Sequence, residues 1–330
     1  MIGLGDVQDA AARIAPYIRQ TPFFHVSATR EPFTETDLWL KLESLQPTGS
    51  FKARGAANRL LTTSREALQN GIVTASGGNH GLATARAAAI AGVQATVFVP
   101  ESVAPAKVEK LRQWGATVRI EGAIWDVTNQ IARAFAAERG ASYFHPFADP
   151  AVVAGQGTIG LELLEALPEI DVVLVAIGGG GLIAGISVAL KALKPAIRII
   201  GIEPEGSPTL SASLAAKRVV SLPSVTTQVA TMACGRTDER IFALVRELVD
   251  EIVLISDADM LAAARWLWFE FGIAADLSGA AGVAALRSGK LVLPKGSRTC
   301  TLICGAGQDG ISSVGPANLE MDRGLRSRQC

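Results

Sequence analysis

Apolar positions along this chain keep two rhythms in turn: short unbroken runs, and longer stretches where they recur every third or fourth residue. The first predicts buried strands and the second predicts helices with one face inward. Asp6 to Arg19 reads as a helix ended before Pro22, and "DLWLKLES" (Asp37 to Ser44) alternates as a strand. Next come a helix from Phe51 to Leu61, the strand "GIVTAS", a helix from His80 to Ala91 and the strand "QATVFVP". A helix around Lys107 to Trp114, the strand "ATVRIEG", a long helix from Asp126 to Arg139 and the short strand "SYF" continue the series. Beyond "HPFADP" (His145 to Pro150) follow a helix from Val153 to Ala166, the strand "DVVLVAI", a helix from Leu182 to Leu193 and the strand "IRIIGIEP". The strand "EIVLIS", the helices "ADMLAAARWLWFEFG" and "SGAAGVAAL" and the strand "RTCTLIC" complete it. Such alternation implies parallel sheets with helices on both faces. The expected fold class is α/β, with two open twisted, mainly parallel sheets flanked by helices. We expect a small α/β domain at 45–147, a larger one formed by 1–44 and 148–315, and a weakly packed tail at 316–330. Ligands in these folds bind beyond the C-terminal ends of the strands.

Composition narrows the function. The 330 residues are 49% hydrophobic and 19% charged, enough apolar surface for two ordinary cores at roughly 100 to 200 residues per domain. The 31 basic residues balance 31 acidic ones and neither sign gathers into a block, so neither nucleic acid nor an anionic membrane is an expected partner. A small molecule is. The N-terminal stretch lacks the basic flank and apolar run of a secretory signal, and the apolar runs break well before the roughly 18 residues a membrane span needs. Cys300 and Cys304 sit four steps apart in a strand-like run, roughly 13 Å and too far to pair. The four cysteines have no metal-like spacing; no metal is expected, and a reducing cytoplasm is the expected location.

Three strand-end loops carry the candidate chemistry. "GGGGL" (Gly178, Gly179, Gly180, Gly181, Leu182) follows the most apolar strand and opens a helix. Its N–H groups can approach an anion with no Cβ in the way, and the helix dipole favours negative charge. A tight strand–helix turn needs only one or two glycines. The spacing is not GxGxxG, so a lone phosphate monoester fits better than a dinucleotide, although Glu203 lies near the distance of an acidic ribose partner. "SGGNHG" offers Ser76, Asn79 and His80 as neutral hydrogen-bonding groups; as helix caps alone, Ser76 and Asn79 would not need Gly77 and Gly78. The third loop, "PTGSFKARGA", seats Lys52 after Phe51. A lysine there is ordinarily solvated. Beside an anion cradle, an amine whose pKa burial would lower is instead a nucleophile for a carbonyl cofactor held as a Schiff base, and pyridoxal 5′-phosphate has those demands.

In that order the motifs "PTGSFKARGA", "SGGNHG", "HPFADP", "GGGGL" and "GIEP" resemble those of the serine/threonine dehydratase group of fold-type II pyridoxal-phosphate enzymes, across nearly all of residues 5–312. The resemblance implies a tryptophan-synthase-β-like fold and a homodimer. It makes Lys52 the Schiff-base lysine, Phe51 the ring against one cofactor face, and Asn79 the partner of the cofactor's 3′ oxygen. It makes Gly178 to Leu182 the phosphate loop and sets Ser76, Gly77, Asn79 and His80 around the substrate carboxylate. Cys304 falls where a serine or cysteine faces the pyridine nitrogen; a neutral thiol is only a weak donor there. The implied reaction is α,β-elimination of a β-hydroxy-α-amino acid such as threonine, serine or phenylserine, giving a 2-oxo acid and ammonia.

Some positions depart from the family pattern. Gly77 stands where racemases of the group carry a second acid/base serine, and Thr209 where a metal-binding relative has an acidic ligand after Glu203. Cys234 replaces a common aspartate and Asp276 a common glutamate, and either residue could face the substrate; Cys234 could equally be a small buried hydrophobe. The aromatics of "RWLWFEFG" could shape a substrate pocket or a dimer face but read first as core, and His25 and His145 as structural. β-Replacement, racemisation, and a non-catalytic carrier or sensor of the cofactor are the alternative functions.

Overall fold

A computed structural model describes residues 2–123 and 125–311; the tail expected at 316–330 lies outside them. Helix α1 (Leu4–Ile14) buries Val7, Ala10 and Ile14 along one face, and the Asp6 carboxylate accepts the Gly3 N–H at its start. It stops short of the Arg19 expected from the pattern. Pro16 has no N–H to continue the ladder, and the chain tightens into a 3₁₀ turn over Ala15–Tyr17. Strand β1 (Phe23–His25) then runs antiparallel to β2 (Asp37–Lys41).

Next come α2 (Lys52–Leu61), α3 (Arg65–Leu68), β3 (Ile72–Ala75), α4 (Asn79–Ala91), β4 (Ala95–Val99), α5 (Pro105–Gln113), β5 (Thr117–Ile120), α6 (Trp125–Arg139) and β6 (Ser142–Tyr143). The remainder holds α7 (Pro150–Ala166), β7 (Val172–Ala176), α8 (Gly181–Leu193), β8 (Arg198–Pro204), α9 (Thr209–Ala215) and α10 (Glu239–Leu248). It ends with β9 (Glu251–Ile255), α11 (Asp257–Phe271), α12 (Leu277–Arg287) and β10 (Arg298–Leu302). The four-stranded sheet has the order β5-β4-β3-β6 and is wholly parallel. The six-stranded sheet has the order β1-β2-β10-β7-β8-β9, parallel except for β1. The α/β class with two mainly parallel sheets is as expected. Strand β1 and helices α3, α9 and α10 escape the pattern: β1 and α3 are only 3 and 4 residues long, and α9 and α10 sit between loops rich in Ser, Thr, Pro and Gly, yet α10 buries Ile241, Phe242, Leu244 and Val245 and is capped by Asp238.

The larger sheet is covered on both faces. Val173, Ile199, Ile183, Ile159 and Val245 pack on one, and Leu40, Leu174, Ile200, Met260 and Val283 on the other. Each such side chain contributes about 1.5–3 kcal/mol on burial. Trp266 of α11 is core, edge-on to Phe33 and Phe271, whereas Trp268 and Phe269 on the same helix are exposed.

Two features fix α2, which carries Lys52. Gly55 and Gly155 let α2 and α7 touch by backbone: a Cβ on Gly55 would meet the Val152 carbonyl at 2.8 Å, and one on Gly155 the Arg54 carbonyl at 2.8 Å. Arg54 is also fully buried in an ionic network, with its guanidinium on both oxygens of Glu43 (2.8 Å each) and on Glu162 (2.6 and 2.9 Å). Glu162 in turn accepts Lys41 Nζ at 2.5 Å. Burial opposes the charge on Glu43, but Arg54 beside it holds that carboxyl below the ordinary value.

Candidate active site

The loops picked out in the sequence stand at C-terminal strand ends: Ser76 to Gly78 after β3, the glycine run after β7, and Cys304 after β10. Phe51, Lys52, Ser76, Gly77, Asn79, His80, Gly178, Gly179, Gly180, Gly181, Leu182 and Cys304 all line one cavity of about 840 Å³. No Asp or Glu is among the described residues that line it.

Lys52 opens α2. Its Nζ donates to the Pro146 carbonyl at 2.7 Å and lies 5.0 Å from the centre of the Phe51 ring. Burial lowers its pKa from 10.5 to about 8, so the uncharged amine is available near neutrality. The carbonyl it meets is presented by a turn that His145 organises: Nδ1 accepts the N–H of Phe147 at 3.2 Å and of Ala148 at 2.9 Å. Burial, aided by Arg133, takes His145 down to about 4, keeping that nitrogen an acceptor at neutral pH.

The glycine run is tight for reasons internal to the protein as well. A Cβ on Gly181 would meet the Phe147 carbonyl at 2.5 Å, and one on Gly179 would enter the Phe147 ring. Gly180 has φ +91°, a left-handed turn that a side chain would strain. Thr237 Oγ1 donates to the Gly179 carbonyl at 3.0 Å. Because the peptide is planar and trans, this turns the Gly180 N–H the opposite way. The first-turn N–H groups of α8 have no intrahelical acceptor and remain for an anion.

At the start of α4 the side chains part company. The His80 ring is buried, with Nε2 donating to the Phe144 carbonyl at 3.1 Å; burial, and then Lys52, take it down to about 3. Its donor is therefore spent, which corrects the expectation that its side chain offers a neutral donor to the substrate. What this position retains is its first-turn N–H. Nδ1 has no hydrogen-bond partner among the described residues. A Cβ on Gly77 would press on Val103 at 3.0 Å.

Asp276 does not line the cavity, so the reading that it could face the substrate is corrected. It caps α12, and its carboxylate holds Asn79 Nδ2 at 3.1 Å and Ser278 Oγ at 2.7 Å. Burial raises its pKa, against the hydrogen bonds from Ser278, Gly279 and Asn79. Cys304 Sγ lies 3.4 Å from Ser278 Oγ, and burial, together with Asp276, pushes the thiol far up and keeps it neutral. Cys234 does line the cavity, its Sγ 3.2 Å from the Arg236 carbonyl. Glu203 takes the N–H groups of Leu210 and Ser211 at 2.7 and 2.9 Å, and Thr209 Oγ1 donates to the Cys234 carbonyl. Both therefore serve α9 and its surroundings. Ser278, Pro146 and Phe147 escaped the sequence reading; only the D-x-S spacing of Asp276 and Ser278 at a helix start could have flagged one of them.

Comparison with known proteins identifies the family. The model of the family described as pyridoxal-phosphate dependent enzyme matches residues 14–305. An L-threonine ammonia-lyase of Thermotoga maritima is 38% identical over 94% of this chain and 76% of its own. A catabolic L-threonine dehydratase of Staphylococcus aureus is 37% identical over 88% of this chain and 84% of its own. The structure of maize serine racemase superposes with a TM-score of 0.88 at 31% identity, covering 98% of each chain.

The residues present fit the family's cofactor. One cavity combines helix-start N–H groups for a phosphate, an amine brought to about 8 for an aldehyde, a neutral thiol, and no lining carboxylate to repel the anion. On that sequence match and this donor set, the chain belongs to the pyridoxal-phosphate dependent enzymes, in the serine/threonine dehydratase group.

Proposed function

We propose that this protein is a dehydratase that eliminates water from a β-hydroxy-α-amino acid, threonine first among the candidates, and yields a 2-oxo acid and ammonia. The observation that carries the reading is Lys52, an amine buried beside Phe51 and held at about 8 in the cavity that the glycine run also lines. The names of the relatives from Thermotoga maritima and Staphylococcus aureus support threonine as substrate.

In this reading the first-turn N–H groups of α8, with Gly178 to Leu182, bind the cofactor phosphate, and Phe51 packs on its ring. Pyridoxal phosphate, when bound, supplies an electrophilic carbonyl for the substrate amine and an electron-withdrawing ring that acidifies the Cα–H. Ser76 and the N–H groups that open α4 bind the substrate carboxylate, with Gly77 leaving the approach open. Lys52 Nζ, uncharged, removes the Cα proton; general-base catalysis of this kind is worth about 10²–10⁴-fold. The Pro146 carbonyl accepts an N–H from that amine and fixes the direction of its lone pair. Cys304, a neutral thiol, would add no positive charge to the site, which favours prompt elimination. The β-hydroxyl leaves as water with one proton, balancing the one Lys52 takes from Cα, and the enamine released is hydrolysed by one water to the 2-oxo acid and ammonia.

Borohydride treatment of the cofactor-loaded protein, followed by peptide mass mapping, is expected to find a pyridoxyl group on Lys52; an unmodified Lys52 would remove the assignment. Assay of threonine, serine and phenylserine for 2-oxo acid is expected to rank threonine first, and no turnover of any of them would end the dehydratase reading. The likeness to maize serine racemase favours a second reading, racemisation. Gly77 weighs against it, since no side chain there can protonate the opposite face of Cα, and a larger residue would press on Val103. Serine incubated in heavy water should therefore lose ammonia far faster than it forms the D-isomer.

A further inference from the structure

Asp276 is where the two walls of the cavity meet. Its buried carboxylate takes the Ser278 hydroxyl and the Gly279 N–H on Oδ1, each at 2.7 Å, and the Asn79 amide on Oδ2 at 3.1 Å. Ser278 Oγ lies 3.4 Å from Cys304 Sγ. Asn79 opens α4 beside the smaller sheet, whereas Ser278 and Cys304 belong with the larger one, and all three line the cavity. The turn after β10 is shaped to admit this carboxylate: a Cβ on Gly305 would meet Asp276 Cγ and Asn79 Nδ2, each at 2.9 Å, and one on Gly307 would meet Asp276 Cα at 2.6 Å.

Counting protons gives the bonds a direction. With Asp276 as the ionised carboxylate that its three converging donors favour, the Gly279 N–H can only donate, Oδ1 is an acceptor, and Ser278 gives it the single hydroxyl proton it has. Ser278 can then only accept, which makes the Cys304 thiol the donor across the 3.4 Å separation. The thiol proton is thereby committed to Ser278, and the sulfur is left with lone pairs. On the other wall, Oδ2 draws the Asn79 NH₂ group, leaving the amide oxygen and one N–H for the cavity.

We propose that Asp276 is a positioning residue that sets which atoms Asn79 and Cys304 present to the cofactor: the amide oxygen and one N–H from Asn79, and a proton-free sulfur surface from Cys304. A basic cofactor atom brought against Cys304 then finds no proton there, which sharpens the weak-donor role expected from the sequence into no donor at all. This consequence rests on the cofactor reading; the hydrogen-bond directions do not.

Infrared spectroscopy of the S–H stretch tests it, with the Cys304 band identified by its loss in Cys304→Ser. In the protein free of cofactor the band is expected at a hydrogen-bonded position, unmoved when pyridoxal 5′-phosphate is added. It should shift to a free-thiol position in Ser278→Ala. A free-thiol band in the native protein, or a band that shifts on loading, would overturn the proposal, and neither measurement needs a variant beyond the assignment. In Asp276→Asn the substituted amide keeps an oxygen for Ser278 but sets an NH₂ against Asn79. The S–H band should stay while the absorption band of the loaded cofactor moves; an unaltered absorption spectrum would count against the Asn79 half. Failure of the infrared test on cofactor-free protein leaves the borohydride result untouched, so the two readings fail separately.

Discussion

Lys52 shows what one residue's surroundings do to its chemistry. Burial lowers its pKa from 10.5 to about 8, so below pH 8 the neutral fraction rises about tenfold per pH unit. The rate at which pyridoxal 5′-phosphate joins the cofactor-free protein should climb in that way and level off above pH 8, as stopped-flow absorbance would register; a flat profile from pH 6 to 9 would contradict it. Linkage sets the sign for stability. Between pH 8 and 10.5 the unfolded chain holds a proton at Lys52 that the folded chain has released, so this group adds stability as pH rises through that window. Compared with native protein by denaturant unfolding, Lys52→Met should show its largest relative gain below pH 8, shrinking toward pH 10.5. That a lysine sits in the loop is readable from "PTGSFKARGA", but its depressed pKa depends on Pro146, Phe51 and the cavity walls, which come from distant parts of the chain.

At the scale of elements, the junction of α2 with α7 decides where that amine stands. Gly55→Ala would drive a methyl to 2.8 Å from the Val152 carbonyl, overpacking that should cost about 1–3 kcal/mol and be measurable as a lowered denaturant midpoint. Arg54→Met would leave Glu43, wholly buried, without its counter-charge. The expected loss is about 3–5 kcal/mol, and replacing Glu43 by Gln in the same chain should recover part of it. A variant as stable as the native protein would show the network to be dispensable. Most elements were readable from their periodicity, because strands such as β7 are apolar throughout and helices such as α1 keep one inner face apolar. Element ends were less so: α1 stops at Ile14 because of Pro16, and α9 is capped by Glu203, which reaches it from β8.

For the whole molecule, the cavity is lined from loops of both sheets, so a ligand that bridges them ties the two cores together. Among the described residues no helix is long and apolar enough to cross a membrane. Loading with pyridoxal 5′-phosphate at a hundredfold excess over its dissociation constant should raise unfolding stability by about 2.7 kcal/mol, seen as a higher Tm; an unchanged Tm would mean that the cavity does not hold it. The α/β class, most of the order of strands and helices, the candidate anion-binding loop and the candidate lysine were determined by the sequence alone, since each depends on neighbours within a few positions. Tertiary structure decided the rest: that the His80 ring turns to Phe144, that Phe147 fills the space the glycines leave, and that Asp276 reaches Asn79 across 197 positions of chain. Hydrogen-bond partners and burial belong to pairs brought together by folding, and no local pattern encodes them.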